Sequence, residues 1–454
     1  MAKKKQIELT IEEKLQNALV PKEEQPYKIP NNWCWVRLES INKYKSETLN
    51  PKNAMEKMFE LYSVPSFDNK YPEILIGKDI GSNKYIVKKN DILLCKINPR
   101  INRVWQVYQH TNFGQICSSE WIVIRNEILN KSFLRYYFTS EYFRNRLCEN
   151  VSGVGGSLTR AKPKLVQLYE VPLPPINEQQ RIVNIIESLF TKLDRAKELI
   201  ENTLAQFEQN KMAILHKAFT GELTAKWRKE NNIDLSSWQN YQLKDICEKI
   251  TDGTHQTPKY TDDGGYIFLS SKNVKSGKID WKNIKYIPKD LHDILYERIA
   301  PQRDDILLAK NGTTGVAAIV DRDIIFDIYV SLALLRVNKK YILPMFLLYV
   351  IGSPRIKNYF DSNLKGIGVP NLHLKYIREA TISVPIIEEQ QEIVNILDKL
   401  LVKYNKIKNL EQQLEKIELL KKAILAKAFR GELGTNNPDE ESAENLLKEI
   451  LAEK

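Results

Sequence analysis

The sequence predicts an α+β protein built by internal duplication, each copy a compact α+β domain followed by a long helix, with the two helices forming an antiparallel coiled coil. The segment VPLPPINEQQRIVNIIE at 171–187 recurs as ISVPIIEEQQEIVNILD at 382–398, with nine of seventeen positions identical. ILHKAFTGEL at 214–223 recurs as ILAKAFRGEL at 424–433, eight of ten identical, and the two offsets of 211 and 210 nearly agree. After each repeated E-Q-Q, apolar residues fall at alternating steps of four and three, the pattern of a coiled-coil seam. Fainter echoes complete the unit: Trp33, Leu38 and Ile41 match Trp238, Leu243 and Ile246, and NDILLCK at 90–96 matches DDILLAK at 304–310.

The elements follow in chain order. Residues 1–25 form an N-terminal helical segment in which Thr10 and Glu13 of TIEEKLQNAL are placed for a capping box. Residues 26–176 make the first domain, where β-branched and aromatic runs such as SEWIVIRN (119–126) alternate with turn residues, and FLRYYFTSEYFRNRL (133–147) reads as helix. Residues 177–233 hold the central helix and a connector. Its seam runs Ile182, Ile186, Leu189, Leu193, Ala196, Ile200, Thr203, Phe207, Asn210, Ile214. About forty residues at 1.5 Å each make a rod of roughly 60 Å. Residues 234–387 make the second domain, with strands at YIFLS (266–270) and DILLAK (305–310) and a helix at PMFLLYVIGS (344–353). Residues 388–434 repeat the helix, with Ile393, Leu397, Leu400, Tyr404, Ile407, Leu410, Leu414 and Ile417 as its seam. Residues 435–454 form an acidic tail helix. Pro172, Pro174, Pro175 and Pro385 stiffen the helix entries, and Gly221 and Gly431 act as stops. Duplicated units usually relate by a two-fold axis, so the paired helices are expected to run antiparallel, with one domain at each end of the rod.

Composition narrows the function. Lysine and arginine (68) exceed aspartate and glutamate (57) by 11 over 454 residues. The last twenty residues carry six acids and two lysines, so the remaining chain holds +15. That balance suits a polyanionic partner. The longest apolar run, near Ile342 to Ile351, is broken by Pro344 and too short to cross a bilayer. The N-terminal MAKKKQIELT lacks the apolar stretch of a secretory signal, so a cytoplasmic protein is expected. Cys34, Cys95, Cys117, Cys148 and Cys247 form no C-x-x-C pair, and the five histidines stand apart; neither a zinc site nor a disulfide framework is expected.

Catalytic motifs are missing. There is no G-x-x-x-x-G-K-[ST] loop and no H-E-x-x-H, while GVGG at 153–156 and GIG at 366–368 do not open a helix in a βαβ unit. NPRI at 98–101 lacks the second proline and the aromatic residue of an adenine-holding N-P-P-[FY] loop, and reads as a turn. The polar loops fit binding. CKINPRINRVW (95–105) gathers Lys96, Asn98, Arg100, Asn102 and Arg103, and its counterpart AKNGTTGVA (309–317) offers Lys310, Asn311, Thr313 and Thr314. Basic side chains grip phosphate or guanine edges and asparagine pairs with adenine, so both loops are candidate readers of a duplex; a solvated hairpin tip is the alternative for each. Arg160 and Lys162 in SLTRAKPK (157–164), Thr254 and His255 in TDGTHQTPKY (251–260), and Lys272 and Asn273 in SSKNVKSGK (270–278) extend the set.

With both E-Q-Q helix starts, both AF-x-GEL segments, LTAKWR (223–228) and DGTHQTPKY (252–260), the chain resembles, over nearly its whole length, the DNA specificity subunits of Type I restriction-modification systems. The resemblance implies two target recognition domains separated by two long helices, and a non-catalytic subunit that binds double-stranded DNA and two methyltransferase subunits. It implies an asymmetric bipartite target, one half-site per domain, with the helices setting the spacer. S-adenosylmethionine, ATP and magnesium are then expected on the methyltransferase and restriction/translocase partners, with no cofactor on this chain. It also implies that Glu178, Gln179, Gln180, Phe219 and Glu222, with Glu389, Gln390, Gln391, Phe429 and Glu432, are scaffold or methyltransferase contacts. An orphan DNA-recognition subunit, an enzyme with an unrecognised site and a coiled-coil adaptor remain open on sequence alone.

Overall fold

The computed structural model describes residues 9–153, 159–262, 264–275, 277–366, 370–405 and 408–453. Most of GVGG and GIG, Ser157 and Leu158, and the seam positions Tyr404 (side chain) and Ile407 lie outside the described residues. The chain divides into two compact units, Met1–Leu199 with Gln412–Lys454, and Ile200–Glu411. Each unit thus joins one domain to the start of the long helix that follows it and to the end of the other.

In the first unit, strand Cys34–Arg37 pairs antiparallel with Glu170–Leu173, in register Cys34↔Leu173, and so closes the domain where the chain enters and leaves. Ile92–Cys95 is buried at every position between Val104–Gln106 and Trp121–Ile124, both antiparallel to it. A second sheet has Met58–Tyr62 beside Glu73–Ile76 (antiparallel) and Gly114–Ser118 (parallel). The run at 133–147 is two helices, Lys131–Thr139 and Glu141–Glu149, because Ser140 leaves helical geometry and its Oγ accepts from Phe143 N. The Thr10–Glu13 capping box is formed, and helix Ile11–Ala18 packs on the tail helix Ala443–Ala452.

The second unit repeats the plan. Gln239–Gln242 pairs with Thr381–Val384; Ile306–Ala309 lies between Ala317–Ile319 and Leu332–Val337; Tyr266–Leu269 runs parallel to Phe326–Ile328. One ion pair is common to both. Asp91 accepts from Arg125 Nε and Nη2 at 2.7 and 2.5 Å, and Asp305 from Arg336 Nε and Nη2 at 2.8 and 2.7 Å. Both carboxylates are 2% exposed and each also takes a backbone N–H, from Lys88 and Gln302. The pair pins the buried strand to its neighbour through two parallel charge-assisted bonds.

The long helices are Ile176–Phe219, unbroken, and Ile387–Asn405 followed by Lys408–Phe429. In the first unit Lys197 Nζ bonds Glu418 Oε1 at 3.0 Å, and Lys421 bonds Asp194. As numbering rises on one helix it falls on the other, so the pair is antiparallel. Ile182 and Ile186 are buried in one core with Leu425, Ala428 and Phe429; in the second unit Leu215 and Ala218 share a core with Ile393 and Leu397. Gly221 and Gly431 take φ of +81° and +73°, the left-handed geometry that stops a helix at glycine.

Removing one partner of a buried ion pair leaves the other charge uncompensated. Asp305→Ala is therefore expected to cost about 3 kcal/mol, seen as a lower urea midpoint, whereas adding Arg336→Met should restore most of the loss. An unrescued double variant would assign the effect to the bond from Gln302 N.

Candidate nucleic-acid interface and its scaffold

In the first domain the loop after Ile92–Cys95 is anchored at both ends. Asn98 N donates to Thr159 O and Ala161 N to Lys96 O, each at 2.8 Å, while Ile97 pairs with Arg160. Two stretches some sixty residues apart in sequence, 95–105 and 159–164, thereby lie side by side. Arg100 and Lys162 are exposed; Lys96 and Arg103 are half-buried. Arg160 is 43% exposed, with Nε 3.3 Å from Glu120 Oε2. Asn98 departs from expectation. It adopts φ +49°, as does Asn102 at +52°, and the amide oxygens of both are buried. Bidentate pairing with adenine needs oxygen and nitrogen together. Asn98 is thus a turn former, a role asparagine fills because it tolerates left-handed geometry.

In the second domain Ser331 gathers the loops: its Oγ accepts from Ser271 N at 3.0 Å and its carbonyl from Lys310 N at 2.8 Å. Asn311 pairs with Asn371 across a bridge, and Thr254 with Tyr329. Lys272 and Thr313 are exposed, and the Thr314 hydroxyl is 3.4 Å from Lys310 O. His255, 72% exposed, lies 3.5 Å from Asp252 Oδ1. Two expected phosphate contacts are corrected here. Lys310 is 5% exposed and its ammonium sits 2.5 Å from Asp252 Oδ2, in a buried ion pair beneath the loop. Asn273 is equally buried; its oxygen accepts from Ser270 N and its amide donates to Asp280 O and Asn283 O. Both hold the loops that carry Lys272, Asn311 and Thr313. Asp252 and Ser331 were not singled out from the sequence, because nothing local marks a partner 58 or 60 residues away.

The repeated E-Q-Q motifs do the same job in each unit. Glu178 and Glu389 are fully buried. Thr435 Oγ1 donates to Glu178 Oε1 at 2.5 Å, and Thr224 Oγ1 to Glu389 Oε1 at 2.6 Å. Each threonine follows a G-E-L, so each long helix starts against the segment that ends the other. Arg181 bridges Glu178 to Glu440, bonding the latter at 2.8 and 2.5 Å. Arg228 Nη1 meets Glu389 Oε1 at 2.5 Å, and Trp238 Nε1 donates to Oε2 at 3.0 Å. Burial pushes the Glu178 carboxyl up, against the pull of Thr435 and Arg181, while the Arg181 bond holds Glu440 below the usual carboxylate range. Gln179 donates to Pro174 O and accepts from Asn130 N; Gln390 donates to Pro385 O and accepts from Leu343 N. Asn130 and Leu343 are N-caps of helices Lys131–Thr139 and Pro344–Ile351, so each glutamine ties its domain to the long helix. Gln180 and Gln391 are exposed and bond Asn184 and Asn395 one turn on. Phe429 is buried against Phe133 and Tyr137, Phe219 is half-buried against Phe346, and Glu222 and Glu432 are exposed. Thr224 follows its G-E-L directly and Thr435 only after Gly434, so the sequence does not mark the two threonines as one repeated position.

The family model for the Type I restriction modification DNA specificity domain matches residues 30–206 and 236–419. The chain belongs to that family. It is similar to the EcoBI specificity subunit of Escherichia coli, 28% identical over 361 residues, covering 75% of this chain and 74% of that one. The EcoKI specificity subunit of Escherichia coli (strain K12) is 26% identical over 402 residues, 84% of each chain. The fold matches a chain from a structure of type I R-M complex assembly, with TM-score 0.70 and 22% identity over 90% of this chain and all of that one. It also matches the HsdS subunit from Thermoanaerobacter tengcongensis, with TM-score 0.53 and 22% identity over the same shares. A two-domain chain of this family supplies DNA sequence specificity. Among the described residues no helix is long and apolar enough to cross a membrane.

A phosphate-contacting lysine and a loop-holding lysine differ in what their loss changes. Lys162→Ala and Lys272→Ala should each lower the salt dependence of DNA binding by about one and leave the melting temperature in place. Lys310→Met should lower the melting temperature instead, since it strands Asp252; a change in salt slope alone would put Lys310 on phosphate.

Proposed function

We propose that this specificity subunit is non-catalytic and guides two methyltransferase subunits, and with them restriction/translocase subunits, to an asymmetric two-part target in double-stranded DNA. The observation that carries this reading is the pairing of like frames with unlike loops. Both domains place a polar loop directly after the same buried strand, Ile92–Cys95 or Ile306–Ala309, behind the same aspartate–arginine pair. The first loop carries exposed Arg100 and half-buried Arg103, with Arg160 on the segment bridged to it; the second carries Asn311 and Thr313, with Lys272 on the turn Ser271–Asn273 nearby. Equivalent positions with different donors suit two different half-sites. Arginines favour guanine edges and phosphates through their planar fork, whereas short hydroxyls and an amide suit other edges.

On this reading the helices set the unread spacer, and half-sites lie about one helical turn, ~34 Å, or more apart along the duplex. S-adenosylmethionine, ATP and magnesium belong to the partner subunits, and the complex works in the cytoplasm. Leu419 and Leu420 are 61% and 51% exposed on the helix Lys408–Phe429. Beside them Tyr27, Tyr142, Ala423, Ala426 and Phe429 line an apolar groove, a surface suited to a methyltransferase subunit.

Single-molecule mapping of modified bases in the host genome, with and without the gene, tests the proposal. Deletion should erase one asymmetric, two-part methylation motif. Inserting a heptad into both long helices should change the spacer and leave both half-sites unaltered. If no motif disappears, or if isolated chain transfers methyl groups itself, the proposal fails.

A further inference from the structure

We propose that Ile101 is an apolar wedge which the first domain inserts into the DNA base stack, so that one half-site is read partly through distortion and the other is not. This rests on the reading that the first domain binds duplex DNA. Ile101 closes a single 3-10 turn, Pro99–Ile101, set between two left-handed asparagines. Ile101 N donates to Asn98 O at 3.1 Å and Asn102 N to Pro99 O at 2.9 Å. Asn102 Nδ2 reaches Phe138 O at 3.0 Å, which ties the turn to helix Lys131–Thr139, and Cys95 N donates to Arg103 O at 3.0 Å across the loop's base. Pro99 is buried under the turn, and the amide oxygens of both asparagines point inward. The turn therefore hides its asparagine oxygens and leaves exposed at its tip Arg100 and, next to it, the β-branched hydrocarbon of Ile101, 52% exposed.

A single exposed isoleucine is ordinary on a protein surface, so exposure alone decides nothing. The setting gives the exposed side chain a use. Arg100 adjoins it in sequence, and Arg103 and Lys96 flank it on the same loop, with Arg160 bridged to Ile97 alongside and Lys162 just after it. Cations of this kind hold a phosphate backbone on either side of an apolar group that enters between bases. Isoleucine is among the side chains proteins use in this way to unstack a base step and kink the duplex. A rigid turn matters for such a task, since a wedge on a compliant loop would fold aside before it parted the stack. The equivalent tip in the second domain, Asn311, Gly312, Thr313 and Thr314, carries no hydrocarbon larger than the threonine methyl. The distortion should be confined to one half of the target.

The test uses the full chain assembled with its methyltransferase subunits on the target mapped from the genome. 2-Aminopurine is placed at each position of both half-sites except the methylated adenine, which the methyltransferase itself extrudes. A several-fold rise in fluorescence is expected at one step of a single half-site. It should vanish in Ile101→Ser, persist in Ile101→Leu, and persist in Lys162→Ala once binding is saturated. Ile101→Ser should also bind on the order of ten-fold more weakly, the cost typical of one lost base-step contact. Unchanged fluorescence in Ile101→Ser, or equal rises in both half-sites, overturns the wedge while leaving the DNA-reading role standing. Failure of the wild-type complex to bind the mapped target overturns both.

Discussion

The rest of the structure depends on a buried carboxylate at the start of each long helix. A glutamate with no exposed surface is costly unless its charge is matched and its lone pairs are used. Glu178 finds what it needs in Thr435 and Arg181, and Glu389 in Thr224, Arg228 and Trp238. In each case the decisive hydroxyl lies just past the end of the other helix. A helix start that takes a hydroxyl from just past the other helix's end requires antiparallel pairing, whatever the details of the seam. The hydrophobic cores agree, since Phe429 packs with Phe133 and Tyr137, and Phe219 with Phe346. Each unit is thereby completed by chain from the far side of the repeat boundary, which is why the compact units, Met1–Leu199 with Gln412–Lys454 and Ile200–Glu411, do not follow the repeat itself.

Most of this frame was legible in the sequence, and for a physical reason. Long-range pairing of two copies of one element leaves the same residues in both copies, so E-Q-Q and AF-x-GEL stand out, and heptad spacing reveals helices without any knowledge of what they touch. The turn at NPRI, the capping box at Thr10, and the stops at Gly221 and Gly431 are equally local, since each is decided by a few adjacent dihedral angles. What local chemistry cannot show is which polar groups are turned inward. Lys310 has the composition of a phosphate contact, and only Asp252 beneath it makes it a strut. Asn98 has the type of a base reader and Asn273 the setting of a phosphate contact, yet one forms a left-handed turn and the other satisfies three backbone groups. Glu178 and Glu389 were legible as scaffold through their repetition, but not as buried, since a charged residue in a helix's first turn normally faces water, where it also favours the helix dipole.

The two domains show how one frame carries different loops. Their shared parts are the bidentate aspartate–arginine pair with its buried carboxylate, the buried glutamine that ties a helix cap to the long helix, and the strand pair that closes each domain. Small errors in these groups would move everything attached to them. The loops carried at the strand ends are free of that constraint. Arginine-rich in one domain and rich in threonine and asparagine in the other, they differ in length and in conformation while emerging from matched strands. Loops on a rigid scaffold can change their donors without unfolding what holds them.

Buried lysine and asparagine residues inside those loops refine the point. A reader that must discriminate bases needs its donors held to within a fraction of an ångström, and side chains on a compliant loop are poorly held. Lys310 bonded to Asp252, and Asn273 bonded across its own turn, supply that rigidity from within the loop cluster, at positions that a composition-based reading assigns to DNA. Among the candidates, Lys272, Thr313 and His255 in one domain and Arg100 and Lys162 in the other stay exposed. Donors held rigidly favour discrimination over bare affinity, because a mismatched edge leaves a donor that cannot move to another partner.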